Sequence, residues 1–173
     1  MRKLILYIAA STDGYIAGPK GEIDWLFTDQ DYGYNKFISS VETVLVGRKT
    51  FDDAVKMGMK DPFPGKVTYV FTRSPDKYPP KENLVFVNEN PAELWKWLRN
   101  REDGSAWLVG GSEIIEPLLE ENLIDEYIIS IHPIILGDGI PMFNKIKDRI
   151  QLTTKNVNTF DSGLIQINLE PLK

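Results

Sequence analysis

Three short stretches of this chain collect groups that bind phosphate. Gly47-Arg48-Lys49-Thr50 sets two cations and a hydroxyl at the start of a helix. Arginine grips phosphate through two parallel hydrogen bonds, lysine adds a point charge, and Thr50 supplies a hydroxyl or a helix cap. Thr72-Arg73-Ser74 places another cation and two hydroxyls directly behind an apolar run, at the strand end where open α/β sheets bind ligands. Gly110-Gly111-Ser112-Glu113, with Ile114 behind it, stands where a strand passes into a helix whose first amides and dipole favour an anion. A glycine pair alone is equally an ordinary tight turn, and it is not the GxGxxG fingerprint of a conventional Rossmann site. Three such sets in a chain of net charge −5 point to one ligand with several phosphates, such as NADPH.

Two other constellations bear on a second ligand. In Ala9-Ala10-Ser11-Thr12-Asp13-Gly14-Tyr15-Ile16-Ala17-Gly18, the small residues admit a flat ring close to the backbone, and the two glycines bracket either a lid or a plain turn. The acidic stretch Asp24-Trp25-Leu26 with Asp29, Asp31 and Tyr32 offers carboxylates beside aromatic rings. Desolvation there raises a carboxyl pKa toward a proton-donating range, while capping of the following helix explains the same aspartates. His132 is the sole histidine and there is no cysteine, so no ordinary zinc site is expected and His132 reads as structural or substrate-contacting. No metal is expected, and no GxSxG elbow or Walker motif occurs.

The elements that must position these residues are legible as buried apolar runs at 4–9, 41–46, 67–71, 84–87, 106–109 and 127–135, alternating with helical patterns at 34–39, 50–57, 91–101 and 112–120. That alternation predicts an α/β fold with a mostly parallel central sheet. The third helix has the fullest signals: Asn90 as cap, Pro91 in the first turn, Glu93 to close a capping box, a stripe of Leu94, Trp97, Leu98 and Arg101, and Asp103-Gly104 as breaker. Runs 151–159 and 164–169, separated by Asp161-Ser162-Gly163, predict a closing antiparallel hairpin. Residues 74–80 read as a rigid surface loop. With 173 residues, 42% of them hydrophobic, the chain supports one domain spanning 1–173. Its acidity leaves no general attraction for nucleic acid, and its apolar N-terminal run is too short to span a membrane. The lack of cysteine suits a cytoplasmic protein.

Taken in order, several of these stretches resemble the dihydrofolate reductase-like superfamily, in the branch that holds the riboflavin-biosynthesis reductase domain. They are residues 10–17, 46–51, Phe63-Pro64-Gly65-Lys66 with 71–74, Val109-Gly110-Gly111-Ser112, and Pro133-Ile134-Ile135-Leu136-Gly137-Asp138-Gly139. The resemblance implies a three-layer sandwich and an NADPH cleft across the sheet. Gly47 to Thr50 and Gly110 to Ile114 would hold the pyrophosphate, Thr72 to Ser74 the adenosine 2′-phosphate, and Ala9, Ala10 and Ile16 the nicotinamide. It also implies a cis Gly110-Gly111 peptide, a homodimer in which strand 127–135 is the candidate surface, and hydride transfer to a C=N bond or sugar carbonyl. Asp31 precedes Gly47 by the offset at which dihydrofolate reductases carry their substrate carboxylate, and Asp24-Trp25 is similar to their Pro-Trp loop, so Asp31 is the expected catalytic acid. Asp13, Trp25 and Ser130 are the expected substrate contacts. Where the riboflavin branch carries a lysine on the first strand, this chain has Tyr7. The activity implied first is that of a 5-amino-6-(5-phosphoribosylamino)uracil reductase. A dihydrofolate or pterin reductase comes next, and a nucleotide-binding module without turnover or a flavin-binding reductase are the rivals.

Overall fold

A computed structural model of the chain describes residues 2–79, 81–101, 104–144 and 146–172; Pro80 and Asp103 fall outside them. In chain order the described elements are β1 (Leu4–Ser11), β2 (Tyr15–Ala17), α1 (Tyr34–Ser39), β3 (Val41–Gly47), α2 (Arg48–Lys56), β4 (Val67–Phe71), β5 (Leu84–Val87), α3 (Pro91–Arg99), β6 (Ser105–Gly110), α4 (Ser112–Glu120), β7 (Glu126–His132), β8 (Ile140–Pro141), β9 (Leu152–Thr159) and β10 (Ile165–Pro171). Eight strands form one sheet in the order β5-β4-β3-β6-β1-β7-β10-β9, and β2 pairs with β8 beside it. The pairs from β5 through to β7 are all parallel, and β10 runs antiparallel to both β7 and β9. The fold is therefore α/β, a mostly parallel sheet closed by an antiparallel hairpin.

Both faces of the central parallel strands are covered, which is why β1, β3, β6 and β7 are largely apolar, whereas the edge strand β9 is polar and exposed. Along β1, Leu4, Leu6, Ile8 and Ala10 face a core built with Ala92, Trp95 and Leu98 of α3 and Ile114, Ile115, Leu118 and Leu119 of α4. The alternate residue Ile5 faces a second core with Phe37, Val44, Val46, Phe63 and Trp107, and Tyr7 packs against it. Asn90 caps α3 by accepting from the Ala92 amide at 2.8 Å.

Several boundaries differ from the sequence reading. Helix α3 buries Ala92, Trp95 and Leu98, whereas Trp97 is 49% exposed beneath the Arg101 guanidinium, 4.3 Å from its ring centroid. Two tryptophans two residues apart cannot share one helix face, and the sheet selected Trp95. Helix α2 begins at Arg48, two residues before the expected start. Strand β7 stops at His132 because Pro133 has no N–H for the ladder. It lies between β1 and β10 with both edges paired, so it offers no surface for a second copy; Ile135, 74% exposed, belongs to the following loop. Truncating Leu108, fully buried at the centre of β6, is expected to cost about 2–5 kcal/mol in urea unfolding.

Candidate functional site

Parallel strands end on a common edge, and here the edge is shaped by two short strand-to-helix turns. Gly47 sits between β3 and α2, and Gly111 between β6 and α4. The turns lie against each other: a Cβ on Gly47 would be 3.5 Å from the Gly110 carbonyl oxygen and 3.6 Å from the Gly111 nitrogen. The Gly110–Gly111 peptide is cis, as the resemblance implies. Neither helix start carries a side-chain cap, so the first amides of both α2 and α4 remain open to a ligand.

Both turns line a cleft of about 1420 Å³ that runs on past Thr72, Arg73 and Ser74 behind β4. Of the expected cofactor residues, Ala9, Ile16, Gly47, Arg48, Lys49, Thr50, Thr72, Arg73, Ser74, Gly111, Ser112, Glu113 and Ile114 are on its wall. Gly110 is just behind the wall at the end of β6, and the Ala10 side chain points into the opposite core. Arg48 is paired with Asp52 one turn along α2. No ion pair holds Lys49 or Arg73 among the described residues. The Ser112 hydroxyl donates to the Pro141 carbonyl, tying α4 to β8. Open helix-start amides, the cations Lys49, Arg73 and Lys77, unpaired among the described residues, and the apolar patch of Ala9, Ile16 and Ile114 suit a ligand with phosphates at one end and a flat ring at the other.

The expected substrate and acid residues fall in different surroundings. Asp31 is exposed, lies outside the cleft wall, and accepts from the Asn35 amide at 2.9 Å and the Gly33 amide at 3.1 Å at the start of α1. Tyr32 donates to Asp29 at 2.6 Å and holds that carboxyl below its usual range. Ser130 is buried on β7 and accepts from the Gln166 amide at 3.1 Å. Trp25 lines a separate hollow of about 360 Å³ with Asp24, Leu26, Phe27, His132, Pro133 and Ile134, and Leu26 is also on the wall of the main cleft. His132 turns Nδ1 to the Ser130 carbonyl at 3.3 Å, and burial depresses its pKa. Among the described residues no cluster of His, Asp or Glu gathers to hold a metal ion.

Asp13 staples two loops together. Its Oδ1 accepts from the Ser11 hydroxyl at 2.7 Å and the Leu136 amide at 3.1 Å, and its Oδ2 from the Gly137 amide at 2.8 Å. The Thr12 amide reaches the Ile134 carbonyl at 2.8 Å, and a Cβ on Gly139 would sit 2.2 Å from the Ala17 carbonyl oxygen, so only glycine allows this approach. The glycine-bracketed segment is thus fastened at both ends.

Sequence reasoning left Trp107, Met57, Met59 and Tyr78 out of the site and noted Tyr7 only as standing where the riboflavin branch has a lysine; all five are on the cleft wall. Tyr7 had a readable signal: a polar ring inside an apolar strand, two residues from Ala9 and so on the same face. The methionines follow the end of α2, where no periodicity marks them.

The chain belongs to the RibD C-terminal domain family, whose model matches residues 2–166. It is 38% identical over 166 residues to the uncharacterized protein YwjB of Bacillus subtilis (strain 168), covering 94% of this chain and 95% of that one. A putative riboflavin biosynthesis protein from Shewanella sp. PV-4 superimposes with a TM-score of 0.88 at 24% identity, over 99% of both chains. A dihydrofolate reductase from Enterococcus faecalis complexed with NADP(H) superimposes with a TM-score of 0.72 at 20% identity, over 99% of this chain and 97% of that one. The fold is that of the dihydrofolate reductase-like proteins.

The hydrogen bond from Ser11, then those from the two loop amides, bring the Asp13 pKa from 3.8 down to about 2. A carboxyl depressed in the folded state adds stability above its unfolded pKa and loses it as pH falls through the folded value. Asp13→Ala is therefore expected to lower the melting temperature at neutral pH, with the difference from wild type shrinking as pH falls from 3.8 to about 2 in thermal scans.

Proposed function

We propose that this protein is an NADPH-dependent reductase of the riboflavin-biosynthesis type, acting on a small heterocyclic or sugar-phosphate substrate in the manner of a 5-amino-6-(5-phosphoribosylamino)uracil reductase. The observation that carries this reading is the convergence of two uncapped helix starts, Lys49 and Arg73 on one cleft of an otherwise acidic chain. In this reading the amides of Arg48 to Thr50 and of Ser112 and Glu113 hold the pyrophosphate, and Arg73 with Thr72 and Ser74 the 2′-phosphate. Arg48 joins the phosphates by exchanging its Asp52 partner. Ala9 and Ile16 bracket the nicotinamide, which supplies a hydride when bound. The substrate side is the polar row of Tyr7, Ser130 and Gln166 with the Trp25 hollow beyond it; Asp13 serves by holding the neighbouring loops. Asp31 contributes charge near this row from the start of α1. Reduction of dihydrofolate or a pterin is the second reading, favoured by the structural likeness to a dihydrofolate reductase.

The whole chain acts as one domain in the cytoplasm in this reading. No helix of the described residues is long and apolar enough to cross a membrane. The homodimer implied by the resemblance, with β7 buried, falls to the outward Val157 and Ile165 of the closing hairpin, 51% and 39% exposed. Sedimentation equilibrium is expected to give twice the chain mass.

Fluorescence titration is expected to show NADPH binding more tightly than NADH. Arg73→Ala should weaken NADPH binding about tenfold or more, the scale of one charge-assisted phosphate contact of 1.5–3 kcal/mol, and leave NADH nearly unchanged. Equal wild-type affinities for the two nucleotides would remove the 2′-phosphate assignment. Oxidation of NADPH by 5-amino-6-(5-phosphoribosylamino)uracil but not by dihydrofolate would separate the two substrate readings.

A further inference from the structure

Tyr7 is the ionisable side chain on the cleft-facing row of β1, two residues before Ala9 and on the wall of the cleft. Its ring is held on three sides. Phe37 stacks on it with centroids 4.3 Å apart and planes at 15°, and Tyr34 and Trp107 meet it edge-on at 6.2 and 6.1 Å. The Trp107 indole donates to the Tyr7 carbonyl at 3.0 Å, fixing the backbone beneath. Near the phenol, the Gln166 side-chain amide donates to the Tyr32 carbonyl at 3.2 Å and to Ser130 Oγ at 3.1 Å, which fixes its orientation. The titratable groups that face the phenol are Asp31 and Tyr34, both from the α1 region. Asp31 commits both carboxylate oxygens to backbone amides and lies outside the wall.

We propose that Tyr7 Oη is the proton donor of the reduction, an assignment that rests on the reductase reading above. The hydride forms a C–H bond at the carbon of the substrate C=O or C=N group, and the π pair moves to the heteroatom. That atom takes the Tyr7 proton as the O–H bond breaks. NADPH is oxidised to NADP⁺, the substrate gains two electrons and two hydrogens, and the phenolate left behind regains a proton from water through the open cleft. Burial pushes the phenol pKa up, Gln166 opposes this and the Asp31 charge adds to it, so the proton is in place across neutral pH. Asp31 is then a positioning charge and Tyr7 the catalytic acid.

The test compares wild type with Tyr7→Phe, which keeps the ring and its stacking on Phe37. Tyr7→Phe is expected to lower kcat about 100-fold or more, the scale of general acid catalysis, with NADPH affinity by fluorescence within about twofold of wild type. The solvent deuterium effect on single-turnover NADPH oxidation, present in wild type, should vanish in the variant. A second readout needs no turnover: the tyrosinate absorbance titration, taken as wild type minus Tyr7→Phe, should move to lower pH when NADP⁺ is bound, because the positive nicotinamide favours the phenolate. An unchanged kcat in Tyr7→Phe, or a Tyr7 titration indifferent to saturating NADP⁺, overturns the proposal while leaving the reductase reading standing. Should Tyr7→Phe fail to fold, a wild-type single turnover with no solvent deuterium effect overturns it. Wild type that binds neither NADPH nor NADP⁺ overturns the reductase reading itself.

Discussion

The structure depends on the parallel pairing of β3, β6 and β1 at the centre of the sheet. Parallel pairing sends every one of these strands out through the same edge, so whatever follows each strand must share that edge with its neighbours. Val46 pairs with Gly110 across a register shift after Leu45, which brings the turn after β3 and the turn after β6 into contact. A side chain on Gly47 would meet the Gly110–Gly111 peptide at van der Waals distance. Two helix starts that are 64 residues apart in the chain become one surface of outward-facing amides.

The two faces of the sheet then divide the work. The face under α3 and α4 is an apolar core, with Leu4, Leu6, Ile8, Ala10, Leu45 and Leu108 all at most 8% exposed. The other face changes character along β1 from Ile5 in the core to Tyr7 and Ala9 on the cleft wall. Tyr7, Phe37, Trp107 and Phe63 form an aromatic nest there, with Trp107 meeting Phe63 edge-on at 5.3 Å. Such a nest is rigid, and it presents polar atoms only at its rim, where Ser130 and Gln166 are oriented by each other. A site built on strands and packed rings is positioned by rigid elements and not by loops.

Charge follows the same division. The chain is acidic overall, and many of its cations are spent on nearby carboxylates: Lys96 on Glu93 and Glu121, Arg99 on Asp125, Lys155 on Glu170. These exposed or half-exposed pairs contribute little to stability. Lys49, Arg73 and Lys77 on the cleft wall stay outside such pairs among the described residues. Arg48, paired with Asp52 across one helical turn, stands between these two groups.

What the sequence determined by itself was local and periodic. Apolar runs marked six strands, Asn90-Pro91 marked a helix start, and Asp161-Ser162-Gly163 marked the hairpin, because each depends on neighbours along the chain. The two glycine-bearing strand-to-helix turns were legible for the same reason, since glycines and cations directly after a strand need no distant partner to be recognised. Tertiary structure decided what local patterns leave degenerate. It chose Trp95 over Trp97 for the core, ended β7 inside the sheet rather than on a partner surface, tied up Asp31 with the amides of α1, and turned Asp13 into a staple between loops more than 120 residues apart. It also brought Tyr7, Ser130 and Gln166 from three strands to one face of the sheet. That juxtaposition depends on strand order and register, and a strand's neighbours in a parallel sheet are set by the packing of the whole, not by the residues on either side of it in the chain.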